Sequence, residues 1–180
     1  MAGDKLILLK LEIQKYLGIP YFINKGKFKN SGPNVFVGKG TAKEIALETV
    51  ALANAQNIKL LNLSSTQIYN FQKKNHLGID CSGLACQLLN FYFDTHLDPR
   101  HTSAEMLTSA PLSTPVSIPT TGDLVRQKNG SHLLFVVETV GDTVYFIDSS
   151  LEGRGVRTGS FNLNDKAFLH DGFFRLLLLH

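Results

Sequence analysis

From Leu84 to Phe93 the chain reads Leu-Ala-Cys-Gln-Leu-Leu-Asn-Phe-Tyr-Phe, an apolar run long enough for a buried helix. A helix of that kind must be covered by other elements, so it sets the plan of the fold. It is entered through Gly78-Ile79-Asp80-Cys81-Ser82-Gly83. Asp80 is a good N-cap residue, which puts Cys81 at the first helical position. Unpaired N–H groups at a helix start carry partial positive charge, and that charge favours a thiolate over a thiol. Cys81 can therefore be a nucleophile, or it can be a small apolar residue that happens to be buried. Position alone leaves both readings open.

The rest of the chain says what covers that helix. Leu6 to Leu17 has a helical apolar face (Leu6, Leu9, Ile13, Tyr16, Leu17) and stops at Gly18. Pro20 pushes Ile19 out of the α region, so Gly18 to Tyr21 is an extended turn. Residues 24 to 40, rich in Gly, Asn and Lys, read as a loop. Thr41-Ala42-Lys43-Glu44 is a capping box opening a helix to about Ala55, and Ser64 with Gln67 opens another turn of helix. Ile58 to Leu63 fits strand or helix equally. After Pro99, Thr102 or Ser103 caps a short helix. Residues 111 to 121 carry no pattern. From Gly122 the chain turns to β, with strands expected at Asp123–Gln127, His132–Glu138 and Thr143–Asp148, a short one near Val156, and Gly172–Leu178. Turns at Lys128-Asn129-Gly130 and Gly141-Asp142 join the first three as an antiparallel meander. Helices first and strands second predict an α+β fold, with N-terminal helices packed on a C-terminal antiparallel meander. The length of 180 residues suits one domain, residues 1–180.

Composition excludes several classes. A net charge of +3 is too small to argue for nucleic acid, and no tryptophan is present to stack bases. Lys25, Lys27, Lys29 and Lys39 fall in one Gly/Asn-rich segment; a solvated loop is the ordinary reading and contact with an anionic polymer the sharper one. Gly32, Gly38 and Lys39 do not make a phosphate loop, because the glycine spacing is wrong and Gly40 stands where a hydroxyl must bind magnesium. Cys81 and Cys86 diverge on one helix and do not form a disulfide; Cys86 reads as a core thiol. Cys81, Cys86, His76, His96 and His101 lack the paired spacing of a zinc site, so no metal and no organic cofactor is expected. No stretch is long and apolar enough for a membrane span, and the start, interrupted by Lys10, Glu12 and Lys15, does not read as a secretory signal.

A cysteine nucleophile needs a base, and the base needs an orienting group. His132 opens a strand directly after a Gly-Ser turn, where it can face the end of a neighbouring helix. Asp148 ends the next strand. If residues 132 to 148 form a hairpin, the two come side by side, and Asp148 fixes the tautomer of His132. The ordinary alternatives are a strand-edge histidine and a turn-initiating aspartate.

Gly78-Ile79-Asp80-Cys81-Ser82-Gly83-Leu84 resembles the nucleophile motif of the NlpC family of papain-like cysteine peptidases, which cut bacterial cell-wall peptides. Other stretches fit in the same order. Leu17-Gly18-Ile19-Pro20-Tyr21 resembles the family's Gly-x-Pro-Tyr element, Asp98 to Ser103 its Pro-Arg-x-Ser turn, and Gly122-Asp123-Leu124-Val125 its Gly-Asp-Leu-Val strand. Ser131-His132-Leu133 is similar to the histidine strand, and Tyr145-Phe146-Ile147-Asp148 to the strand of the third polar residue. The resemblance spans roughly residues 17 to 178. It implies a papain-like core, Cys81 as nucleophile, His132 as base and Asp148, or else Ser149, as the third catalytic group. It also implies that Tyr21, Asp80 and Ser82 bind substrate, and that the N–H of Cys81 contributes to an oxyanion hole.

The activity it implies is hydrolysis of an amide in peptidoglycan stem peptides, as an endopeptidase rather than an N-acetylmuramoyl-L-alanine amidase, by a monomer in the cell envelope or secreted. The alternatives are a catalytically silent domain that binds wall peptides, and an amidase effector aimed at a competitor's wall. The sequence departs from the family at Phe22-Ile23-Asn24, where an aromatic residue and two glycines are usual, at Asp148, where His is common, and at Leu134, where a small residue is common. The segment from about 24 to 75 is longer than the family needs, which suggests a lid or a narrowed groove.

Overall fold

The computed structural model describes residues 2–23 and 33–177. Among them are five α-helices: α1 (Ala2–Gln14), α2 (Ala42–Ala55), α3 (Ser65–Lys74), α4 (Cys81–Phe93) and α5 (Ala104–Leu107). Six strands follow: β1 (Ser113–Val116), β2 (Leu124–Gln127), β3 (His132–Val140), β4 (Thr143–Ser150), β5 (Gly155–Asn162) and β6 (Gly172–Leu176). They form one antiparallel sheet in the order β1-β6-β2-β3-β4-β5. The fold is α+β, as expected.

The helices form for local reasons. In α2 the Thr41 hydroxyl accepts from the Glu44 N–H, while the Glu44 carboxylate accepts from the Thr41 N–H. Ser64 and Gln67 repeat the arrangement at α3. Each box satisfies two backbone donors that a helix start leaves unpaired. Ser103, not Thr102, caps α5. Ile58 to Leu63 is neither strand nor α-helix; it holds a short 3-10 turn at Leu60–Asn62.

Period-two alternation divides the sheet into two apolar faces. Leu124, Leu133, Phe135 and Ile147 face the helices and pack with Leu9, Ile13, Tyr16, Leu84, Leu88 and Leu89. Leu84, Leu88 and Leu89 are fully buried, each stabilising the fold by about 1.5–3 kcal/mol. Val125, Leu134, Val136, Val144, Phe146, Phe161 and Phe173 make a second cluster on the other face. Phe168, from the β5–β6 connection, covers it by stacking on Phe161 at 3.8 Å between ring centroids. Leu134 is a member of this second cluster, which gives its side chain an apolar place to pack.

Several expectations need correction: the first helix, expected from Leu6 to Leu17, runs from Ala2 to Gln14, and the short strand expected near Val156 is the eight-residue β5. Residues 111 to 121, read as patternless, contain β1, which pairs with β6 at the sheet edge. Asp148 does not end its strand, because β4 continues to Ser150. The lysine-rich stretch falls partly outside the described residues, with Lys25, Lys27 and Lys29 among those not described. Its described part, residues 33–40, includes a 3-10 turn at Asn34–Val37 and lies against α4.

Candidate active site

The first turn of α4 is held by its neighbours in sequence and in space. Asp80 is the N-cap: its Oδ1 accepts from the Gly83 N–H at 2.7 Å, and its carbonyl accepts from the Leu84 N–H. Cys81 thus opens the helix, as the sequence predicts, and is 8% exposed. The strand-like residues before it are laced to two other segments. Ile79 pairs with Tyr21 on one side and Lys39 on the other. Its carbonyl also accepts from the Ser149 hydroxyl at 2.6 Å. Gly78 is needed here, since a Cβ would come within 2.4 Å of the Pro20 carbonyl oxygen.

The histidine comes from the sheet. His132 is the first residue of β3, and its register with β4, Phe135 opposite Ile147, sets Asp148 diagonally across from it. The ring Nε2–H donates to Asp148 Oδ2 at 3.2 Å. Cys81, at the tip of α4, is close enough to the ring for its sulfur to favour the charged imidazole. The imidazole therefore lies between the helix tip and a buried carboxylate. Burial pulls its pKa down, but the bond to Asp148 and the interaction with Cys81 outweigh that and raise it to about 9. Asp148 is 1% exposed. Burial pushes its pKa up, yet the His132 bond and the Arg157 guanidinium, whose Nε donates to Oδ1 at 3.0 Å, hold it below the usual carboxylate range.

The other sequence-predicted residues divide. Tyr21 lines a cleft of about 450 Å³ together with Phe22, Ile23, His132, Leu151 and Glu152. Desolvation, with the charges of Cys81 and Asp80, pushes its phenol up to about 12. Lys128 and Glu152, which also line this cleft, are joined by an ion pair at 2.6 Å. Asp80 and Ser82 turn their polar groups inward, onto each other and onto Lys39. Ser149 is spent on Ile79, so Asp148 is the residue brought to the imidazole. Cys86 is fully buried, and burial raises its thiol to about 12. Among the described residues, no group of three or more His, Cys, Asp or Glu side chains is placed to hold a metal ion. No helix among them is long and apolar enough to cross a membrane.

Lys39 is the residue that sequence reasoning missed. It was grouped with solvated lysines; its side chain is in fact largely buried, with Nζ donating to Asp80 Oδ1 at 2.8 Å and Ser82 Oγ at 2.5 Å. No family model matches the chain, and no curated protein or solved structure does either.

Proposed function

We propose that the chain is a cysteine hydrolase that cleaves an amide bond in peptidoglycan stem peptides. The observation that carries the chemistry is the His132 ring held by Asp148 at 3.2 Å and interacting with Cys81 at the start of α4. The substrate class rests on the motif resemblance alone. A nucleophile at a helix tip facing a histidine on an antiparallel sheet also supports a papain-like classification.

In this reading the imidazolium pairs with the Cys81 thiolate. The sulfur attacks the amide carbonyl carbon, and the oxyanion is met by the Cys81 N–H, which lies ahead of the N–H groups that Asp80 caps. His132 gives its proton to the leaving amine as the C–N bond breaks. The neutral imidazole then takes a proton from water, which attacks the thioester; the acyl group leaves as the acid and the sulfur as thiolate, restoring the ion pair. Asp148 holds the ring in place and favours its charged form. Tyr21 forms part of the wall along which the peptide lies. The same reading places the protein in the cell envelope or outside the cell, acting as a monomer.

Digestion of muropeptides by the wild type and by Cys81→Ala tests it. Cleavage by the wild type with loss of at least about a thousandfold in the variant is expected; equal cleavage by both would dispose of the proposal. Masses of the fragments separate an endopeptidase, which cuts within the stem, from an amidase, which frees the stem from the glycan. One observation favours a second reading, a silent wall-peptide-binding domain: the residues lining the cleft include His132 but not Cys81. That reading predicts fragment binding without turnover.

A further inference from the structure

We propose that Lys39 is a positioning residue for Cys81: by neutralising Asp80, it lets a carboxylate cap the nucleophile's helix without opposing the thiolate. The inference rests on Cys81 being the nucleophile.

A carboxylate at an N-cap is a good helix start, but immediately before a thiolate it is also a like charge. The structure resolves the conflict with one ammonium. Lys39 reaches the side chains on both sides of Cys81, Asp80 at 2.8 Å and Ser82 at 2.5 Å. Its backbone is fixed to the same helix, since Gln87 donates to the Lys39 carbonyl at 2.8 Å and the Asp80 N–H donates to the Gly38 carbonyl at 2.9 Å. Gly83 makes room for this approach. A Cβ there would lie 2.4 Å from the Gly38 carbonyl oxygen and 3.1 Å from Lys39 Cδ. The pair is largely shielded from water, at 13% and 10% side-chain exposure, so its charges are weakly screened. Their reach is visible along the helix: at Cys86, Lys39 favours the thiolate and Asp80 opposes it. The charged and titratable groups around Cys81 are thus Lys39, Asp80 and Tyr21 on the helix side, and His132 backed by Asp148 on the sheet side.

The test is the rate of Cys81 alkylation by iodoacetamide at pH 6.5, read by peptide mass spectrometry, with Cys86 labelling as the check on folding. Four proteins are compared: the wild type, Lys39→Met, Asp80→Asn and the double variant. Asparagine keeps the N-cap while removing the charge. Lys39→Met is expected to slow labelling roughly tenfold, because the Asp80 carboxylate is then left as an unopposed like charge beside the sulfur. The double variant should recover to within about threefold of wild type, because the unopposed carboxylate is gone as well. Asp80→Asn alone should label faster than wild type, and this arm decides the matter if Lys39→Met fails to fold. A double variant as slow as Lys39→Met, or an Asp80→Asn no faster than wild type, would show that Lys39 serves structure only and overturn the proposal. The same proteins are assayed on muropeptides. Should the labelling pattern hold while the wild type cleaves nothing, the hydrolase reading falls and the role of Lys39 stands; cleavage with a flat labelling pattern means the reverse.

Discussion

Asp148 and Asp123 are buried alike, 1% and 2% exposed, yet they hold different kinds of partner. Asp123, just before β2, takes the Arg175 guanidinium in a fork, with Nε at 2.9 Å and a terminal nitrogen at 2.7 Å, and also accepts from the Thr120 N–H. Asp148 takes one guanidinium bond, from Arg157, and gives its other oxygen to His132. An arginine keeps its proton at any working pH, so the Asp123 pair is a fixed tie between β2 and β6. A histidine can give its proton up, so the Asp148 pair can take part in a reaction. Two carboxylates of equal burial thus meet cations of different acidity, and under the proposed function that difference becomes a difference in role.

The sharpest way to break the comparison is to replace each aspartate with asparagine. Asp148→Asn should lower kcat/KM on muropeptides by about a hundredfold or more, the usual loss when acid–base catalysis fails. Asp123→Asn should leave kcat/KM within about threefold of wild type while costing about 2–3 kcal/mol of stability, because Arg175 loses a charged acceptor. Kinetics on both variants, with chemical denaturation alongside, decide it. Equal losses of activity in the two would mean that the histidine partner confers nothing special.

A smaller effect separates the pairs by pH. The His132 pKa is raised to about 9, so its contribution to stability is complete below the ordinary histidine value and is lost as pH rises through about 9. The Asp148 pKa is lowered, so its contribution is present above the ordinary carboxylate value and fades as pH falls towards the depressed one. Wild-type stability should therefore decline from about pH 6.5 to about pH 9. The decline should flatten in Asp148→Asn and persist in Asp123→Asn. Urea unfolding at several pH values measures it, and an unchanged slope in Asp148→Asn would assign the decline to other groups.

What could be read in advance follows the range of the interaction. The capping boxes at Thr41 and Ser64, and the Asp80 cap, are written within four residues and were legible. The pairing of His132 with Asp148 was legible because one hairpin with one short turn brings them together. Lys39 was not, since its partners lie 41 and 43 residues on and its immediate neighbours, Gly38 and Gly40, carry no side-chain signal. β1 escaped for another reason. It is a four-residue edge strand with Thr114 and Pro115 both exposed, so it lacks the alternation that marks a half-buried strand, and its proline argues against a strand anywhere but at such an edge. The long β5 was seen only near Val156 because its outer positions, Arg157 and Thr158 among them, are exposed.

The smallest effect should come from Arg157, and it tests whether Asp148 is shared. Arg157 stands directly opposite Asp148 in the β4–β5 register and draws on Oδ1 while His132 draws on Oδ2. Its cation helps keep Asp148 ionised, and it competes with the imidazolium for their common carboxylate. Arg157→Gln removes the competitor and leaves a hydrogen-bonding side chain. His132 should then hold its proton slightly longer, moving the alkaline limb of kcat/KM upward by about 0.2–0.5 of a pH unit, while the acid limb also rises because Asp148 is less well held as an anion. The shift is small because the Arg157 side chain is 52% exposed and water screens it. Raising the salt concentration should shrink the difference between variant and wild type. A downward shift of the alkaline limb would mean that Arg157 orients Asp148 for His132 instead of competing for it, and the two aspartates would then be more alike than their partners suggest.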